Sequence, residues 1–154
     1  MRRLMLVGHW APPADDPDWR VDVLAVEQAV RDAARRWRVR EAAFDPFRWT
    51  RSMQVLSRDG LPVLEFPQTA ARMSPATTGL REAVINRSVE HDGSPILAAH
   101  VANAVLKDDA RGVRLSKRSK NSTRRIDAAV AAVMCHARAT RLASRPRSRM
   151  VVLP

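Results

Sequence analysis

The chain has 154 residues, a length that suits one domain, and 45% of them are hydrophobic, which is enough to build a core. With 27 Lys and Arg against 16 Asp and Glu, the net charge is +11, which favours a polyanionic partner such as nucleic acid. No apolar run reaches the roughly 18 residues that span a bilayer, the N-terminal apolar stretch is too short for a secretory signal, and the single Cys135 excludes an internal disulfide, so we expect a cytoplasmic protein with no membrane partner.

The first half of the chain alternates between strand and helix patterns. Residues 4–10 predict a short strand. Apolar residues at helical spacing predict a helix over residues 22–37, with Asp22 as its N-cap. Residues 39–44 predict a second strand, and the proline that follows predicts the first position of a helix over residues 46–58.

The second half continues the alternation. Residues 61–66 predict a strand, residues 75–87 a helix and residues 89–92 a short extended segment. A Ser-Pro pair predicts the start of a helix over residues 94–106, and a last helix is predicted over residues 126–142. Strands that alternate with helices are typical of the α/β class.

Familiar nucleotide and hydrolase motifs are absent from the sequence. It contains no GxxxxGK[ST] phosphate loop, no GxGxxG and no GxSxG elbow. The four histidines do not form HExxH or another metal-binding spacing. His100 lies among apolar residues of a predicted helix, and we interpret it as a packed or capping side chain rather than a ligand.

Asp45 occupies the point where the second predicted strand meets the following helix. Ligands and catalytic groups gather at the carboxyl ends of strands in open α/β sheets, and a carboxylate there could hold Mg²⁺. An Asp-Pro pair is also a frequent helix start, in which the aspartate only caps free N–H groups. The local pattern alone favours the cap and leaves the metal ligand open.

Asp127 poses the same choice at the start of the last helix. In the first turn its charge suits the helix dipole, and it could equally face a metal ion held against the sheet. The preceding residues, 111–125, contain seven basic side chains and no acidic one. A carboxylate directly behind a basic segment is typical of a nuclease, in which cations hold the phosphodiester and carboxylates hold metals. A solvated charge run is the commoner alternative.

The basic segment supplies the predicted phosphate contacts. We expect four of its side chains to bind the DNA backbone: Arg114, Lys117, Arg118 and Lys120.

Taken together, the motifs and their order resemble a known family. They follow one another over about residues 4–142, nearly the whole chain: HWAPP at 9–13, FDPFRW at 44–49, LPVLEFPQTAARMSPATTGLREAV at 61–84, HDGSPILAAHVANAVLKDDARGVRLSK at 91–117 and RIDAAVAAVMCHARA at 125–139. This succession resembles the C-terminal nuclease domain of the tailed-phage terminase large subunit.

The resemblance implies an RNase H-like α/β fold with a central mixed sheet flanked by helices. It also implies endonucleolytic cleavage of concatemeric viral DNA during genome packaging in the bacterial cytoplasm, by a two-metal mechanism with Mg²⁺ or Mn²⁺ as cofactor. Asp45 and Asp127 match acidic residues of the family and become the expected catalytic residues and metal ligands. Double-stranded DNA is the expected partner, with the phage portal and the small terminase subunit as further candidates.

Two departures from the family pattern qualify these expectations. The family's first catalytic aspartate has no counterpart, because no aspartate precedes Asp15, and the ATPase motor is also missing. We therefore expect an N-terminally incomplete fold, with a partial nuclease domain over residues 1–142 and a basic, flexible tail over residues 143–154. One alternative is a non-catalytic DNA-binding prophage remnant. Another is an unrelated basic protein whose aspartates are only caps.

Overall fold

The structure is a computed structural model, and it describes residues 1–13, 15–16, 18–119 and 121–144. The elements follow in the order β1 (Arg2–Leu4), α1 (Val23–Arg36), β2 (Ala42–Phe44), α2 (Thr50–Arg58), β3 (Val63–Glu65), α3 (Ala70–Ile85), β4 (Val89–His91), α4 (Pro95–Asn103), β5 (Ala104–Asp109), β6 (Gly112–Lys117) and α5 (Asp127–Ser144). This alternation confirms the predicted α/β class. No helix in the described part of the chain is long and apolar enough to cross a membrane.

In the described part of the chain, the strands pair in three separate two-stranded ladders. β1 pairs in parallel with β4, and β2 in parallel with β3, whereas β5 and β6 form an antiparallel hairpin. The expected mixture of parallel and antiparallel pairing is present, but across the described ranges it is divided among three ladders instead of one continuous sheet. β1 to β4 have three residues each, so cross-strand hydrogen bonds are few and the packed helices must hold the ladders in place.

The main core lies where α5 packs against α3 and the β5–β6 hairpin. Phe66, Met73, Val133 and Met134 are buried there, and Leu115 of β6 packs against them. These residues come from four different elements or their ends. The cluster therefore fixes α5 relative to the strands on which the candidate site depends.

Small side chains on α5 allow α4 to pack closely on its other side. Ala128 and Ala132 form a second buried cluster with Leu97 of α4. Leu4 and Leu6, at and beyond the end of β1, pack against the same cluster. The start of α5 is thus enclosed by apolar contacts, which fixes the position of its first residue, Asp127.

Two helix starts form as the sequence predicts. Asp22 caps α1 by accepting a hydrogen bond from the Ala25 N–H at 3.0 Å. Ser94 caps α4 by accepting from the Leu97 N–H at 3.3 Å, and a proline occupies the first turn. Both caps depend on residues within three positions of each other, so the local sequence is sufficient to predict them.

The predicted start of α2 at Pro46 is wrong, since the helix begins at Thr50. The Asp45 carboxylate accepts a hydrogen bond from the Phe47 N–H at 3.1 Å, which makes a turn directly after β2. Arg48 then adopts a left-handed conformation, with φ of 65°. A residue in that conformation cannot lie inside an α-helix, so the helix starts only after it.

The hairpin of β5 and β6 is absent from the sequence-based prediction. The helix expected to run through residue 106 ends at Asn103, and β6 lies inside the segment 111–125 that we interpreted as a basic loop. Exposure alternates along β6, with Val113 and Leu115 partly buried and Arg114 exposed. Because basic residues dominate this segment, its sequence pattern did not indicate the strand, although the inward face of that strand is apolar.

The remaining helix boundaries differ from prediction by a few residues. α3 begins at Ala70 rather than 75 and contains Pro75 in its second turn, where the proline cannot donate the usual helix hydrogen bond to the carbonyl four residues earlier. α5 ends at Ser144, two residues beyond the predicted domain end. Residues 145–154, most of the predicted tail, lie outside the described residues.

Candidate active site

A cleft of about 400 Å³ lies between the end of β2, the end of β6 and the start of α5. Asp45, Asp127 and Lys117 all line it, together with Gln68 and Trp49. The fold therefore brings the two carboxylates singled out in the sequence to one place, with one of the predicted phosphate-binding cations beside them.

Asp45 directly follows β2, and pairing with β3 holds it there. The register places Phe44 opposite Glu65, and the Phe66 N–H donates to the Phe44 carbonyl at 2.6 Å. One carboxylate oxygen of Asp45 accepts the Phe47 N–H, so the predicted capping role is real, although it stabilises a turn and not a helix. Among the described residues the second oxygen has no hydrogen-bond partner, which leaves it available to a ligand.

Asp127 is the first residue of α5, and its side chain is exposed. No backbone N–H donates to its carboxylate in the described structure. The cap is supplied instead by His100 of α4, whose Nδ1 accepts the Ala128 N–H at 2.9 Å. Because another residue caps the helix, the carboxylate of Asp127 is available for binding in the cleft.

His100 is buried and lies edge-on to His9, with ring centroids 5.3 Å apart. Its burial lowers its pKa, and the nearby charges of His9 and Arg125 lower it further, while Asp127 opposes them. A neutral ring agrees with the observed geometry, in which Nδ1 acts as an acceptor. The interpretation of His100 as a packed, capping side chain matches this contact.

Stability is expected to fall as the pH is lowered from 7.5 to 5.5. Burial lowers the pKa of His100 and of His136 below the ordinary value of 6.5, so the unfolded chain binds more protons than the folded chain below about pH 6.5. The free energy of unfolding should then decrease with falling pH, by at most about 1.4 kcal/mol per pH unit for each histidine. Urea titrations at several pH values measure this slope.

A His100→Asn variant is the matched control for the pH experiment. Asparagine can accept the Ala128 N–H but does not titrate, so the variant should lose part of the pH dependence. A wild-type free energy of unfolding that stays constant between pH 7.5 and 5.5 would contradict the prediction.

A paired arginine ties the far half of α5 to the residues before β2. Arg138 donates to both carboxylate oxygens of Glu41, at 2.7 Å and 2.9 Å. The two side chains are only 14% and 13% exposed, so the pair is partly shielded from water. This contact and the core together set the orientation of β2 relative to α5, and hence of Asp45 relative to Asp127.

The predicted phosphate-binding residues do not all face the cleft. Lys117 lines it, and Arg118 follows as an exposed residue. Arg114 lies on the opposite face of β6 from Lys117, because side chains three positions apart on a strand point to opposite sides. Lys120 lies outside the described residues.

The sequence analysis did not assign a role to Gln68 or Trp49, two further residues of the cleft wall. Gln68 follows the end of β3, the strand paired with β2, so it lies at the same edge of the ladder as Asp45. Its position after a strand end was the signal that could have identified it. Its amide offers an additional oxygen close to the carboxylates.

Family comparison assigns the fold and the cleft to a defined class. Residues 18–142, which include every residue of the cleft, match the family model of the terminase large subunit, endonuclease domain. The chain therefore belongs to the terminase large subunit endonuclease domain family. The resemblance seen in the sequence motifs is confirmed.

Two comparisons identify related proteins. The chain is similar to the large terminase subunit of Enterobacteria phage HK97, with 38% identity over 99 residues that cover 64% of this chain and 18% of that protein. It is also similar to the crystal structure of the HK97 bacteriophage large terminase, with a TM-score of 0.66 and 29% identity over 77% of this chain and 25% of that one. The chain thus spans a quarter or less of the length of these relatives. The structural likeness agrees with the expected mixed α/β fold, which in this family is RNase H-like.

Proposed function

We propose that this chain is a nuclease domain of phage DNA packaging, which cleaves double-stranded DNA with the help of a bound divalent cation. The observation that supports this most is the presence of Asp45, Asp127 and Lys117 around one cleft. A metal-dependent phosphodiester hydrolase needs oxygen ligands for the metal and a positive charge for the phosphate at the same point. Membership of the endonuclease domain family supports the same reaction.

The donor chemistry of the cleft fits Mg²⁺ or Mn²⁺. Both ions prefer carboxylate, carbonyl and water oxygens, which Asp45, Asp127 and the amide of Gln68 provide. When bound, such a cation supplies an activated water and neutralises charge on the leaving oxygen. The described residues contain no group of three His, Cys, Asp or Glu side chains suited to a metal. The two aspartates therefore fit one cation better than a pair.

The residues of the chain have separable roles in this proposal. Asp45 and Asp127 hold the cation from two different elements, so its position depends on the packing of β2 against α5. Lys117 holds a phosphate oxygen at the cleft, and Arg118 extends the positive surface beyond it. Arg114 and Lys120 complete the proposed set of DNA contacts, with Arg114 acting from the other face of the hairpin. The phage portal and the small terminase subunit are the proposed protein partners.

DNA binding without cleavage is the second candidate function. It is favoured by the presence of only two carboxylates in the cleft among the residues that the structure describes. Mg²⁺ sites usually combine carboxylates with several waters and a substrate oxygen, and two-metal sites need more acidic ligands than these. The net charge of +11 supports binding under either candidate function.

Incubation of supercoiled plasmid with the purified chain tests the two candidates. We expect nicking in Mn²⁺ and none in excess chelator, because the carboxylates alone cannot activate water. A parallel binding assay in chelator should show affinity that falls steeply with salt, and Lys117→Gln should weaken it more than the matched surface change Arg58→Gln. Salt-dependent binding without nicking would support the second candidate. Absence of DNA binding at about 50 mM salt would contradict both.

A further inference from the structure

A second cavity, of about 540 Å³, lies at the far half of α5 and is lined by four arginines. Arg2 reaches it from β1, Arg72 from α3, and Arg138 and Arg141 from α5. Helical rise places these α5 residues about 16–21 Å from Asp127 at the start of the helix. The cavity is therefore separate from the cleft described above.

The positive charge of this cavity is only partly balanced by the protein. Arg138 is neutralised by Glu41, and one carboxylate, Glu82, lines the wall. In the described ranges, Arg2, Arg72 and Arg141 form no ion pair with a carboxylate. The three arginines without an ion pair outnumber the single carboxylate of Glu82, so this concave surface carries an excess of positive charge. Charges of one sign in a low-dielectric concavity attract a ligand of the opposite sign.

Two of the arginines that line the cavity are oriented by contacts within the protein. The guanidinium of Arg72 lies over the ring of Phe66, 5.9 Å from its centroid, and Phe66 also lines the cavity. Arg138 is fixed by its two hydrogen bonds to Glu41. Planar guanidinium groups that are already oriented lose less conformational freedom on binding an oxyanion.

A buried histidine in the cavity wall also lacks a partner. His136 is 5% exposed, and within the described part of the chain its Nε2 has no hydrogen-bond partner. Arg2 lines the same cavity as His136, so a ligand there can contact both side chains. A buried polar atom of this kind is uncommon, and a ligand oxygen is one group that could satisfy it.

We propose that this cavity binds a phosphate group, through Arg2, Arg72 and Arg141 around the ring of His136. The phosphate could be part of the DNA backbone, bound at a distance from the cleft, or part of a free phosphate or nucleotide. In both cases the recognition chemistry is the same: guanidinium groups donate to phosphate oxygens. A site for a DNA phosphate rests on the proposed nuclease function and extends it. A site for free phosphate or a nucleotide is independent of that function.

The test compares the double variant Arg72→Gln, Arg141→Gln with the charge-matched double variant Arg58→Gln, Arg81→Gln, whose arginines are exposed and lie outside this cavity. Two measurements are made in chelator: the shift of the thermal midpoint caused by pyrophosphate, and the affinity for a duplex of about 20 base pairs over a range of salt. Neither measurement depends on cleavage or on metal, so a failure here is distinct from a failure of the proposed nuclease.

We expect the cavity variant to lose at least one of the two responses while the control variant keeps both. Loss of the pyrophosphate shift, with duplex affinity equal to the control, identifies a free phosphate ligand. A duplex affinity at least about 5-fold weaker than that of the control, with a salt slope smaller by about two, identifies the DNA backbone. A cavity variant that matches the control variant in both measurements overturns the proposal.

Discussion

Replacing either Asp45 or Asp127 with alanine is expected to reduce Mn²⁺-dependent plasmid nicking at least about 10-fold, a loss typical of damaged metal sites. Among the described residues, each aspartate contributes one of the two carboxylates that line the cleft, so the loss of either leaves a single charged ligand there. Initial rates of nicking at a fixed Mn²⁺ concentration measure the effect. Asp108→Ala, which changes an exposed residue of the β5–β6 hairpin, is the matched control and should nick at the wild-type rate.

Asp45 has a structural role that must be separated from metal binding. Its carboxylate also accepts the Phe47 N–H, so Asp45→Ala removes a turn contact as well as a charge. Asp45→Asn keeps an oxygen acceptor for that N–H and removes only the negative charge. We expect the asparagine variant to be as stable as wild type and still deficient in nicking. Full activity of Asp45→Asn would show that the residue serves the turn alone.

Replacing Arg138 with alanine is expected to destabilise the fold by about 3 kcal/mol, because it leaves the shielded carboxylate of Glu41 without its two charged hydrogen bonds. Glu41→Ala should cost a similar amount by leaving Arg138 without a partner. The double variant should cost less than the two single variants together, since the direct interaction between the two side chains is then counted only once. Urea denaturation of the four proteins completes the cycle.

The exposed pair of Arg35 and Asp32 on α1 is the control for this cycle. Its side chains are 72% and 59% exposed, and its closest distance is 2.8 Å, nearly the same as in the shielded pair. A surface pair of this kind contributes only about 0.5 kcal/mol. Equal losses in the free energy of unfolding for Arg35→Ala and Arg138→Ala would contradict the expectation that the burial of an ion pair, and not its distance, determines its contribution to stability.

Local signals made part of the fold predictable from sequence. Asp22 and Ser94 were identified as caps because each bonds to an N–H three residues away. Apolar spacing likewise identified α1 and α5 to within a few residues. The start of α2 was predicted wrongly because an Asp-Pro pair suits both a helix start and a turn. In the structure, the hydrogen bond from the Phe47 N–H to the Asp45 carboxylate stabilises the turn.

The hairpin was missed for a different reason. Its stability depends on Leu115 packing into a core formed by residues of α3 and α5, and no window of local sequence contains that contact. The basic side chains of β6 point away from this core or lie at its end, so their charge dominated the pattern. The charge pattern predicted a solvated loop, but the packing of Leu115 against residues distant in the sequence stabilises a strand instead.

The candidate site was predictable in its residues but not in its arrangement. Motif order pointed to Asp45 and Asp127, yet only the packing of α5 against the ladder of β2 and β3 places them at one cleft. The capping of α5 by His100, 28 positions away, has no sequence signal that would assign it. That contact matters because it leaves the Asp127 carboxylate available. The opposite directions of Arg114 and Lys117 likewise became clear only once β6 was known to be a strand.

The central claim is that Asp45 and Asp127 hold one divalent cation between them. Titration of Mn²⁺ into the purified chain, followed by the loss of the free-ion electron paramagnetic resonance signal, tests it most directly and without DNA. The account predicts one bound ion in wild type and in Asp108→Ala, and affinity weakened at least about 10-fold in both Asp45→Asn and Asp127→Asn. Equal Mn²⁺ affinity in wild type and the two asparagine variants would contradict it.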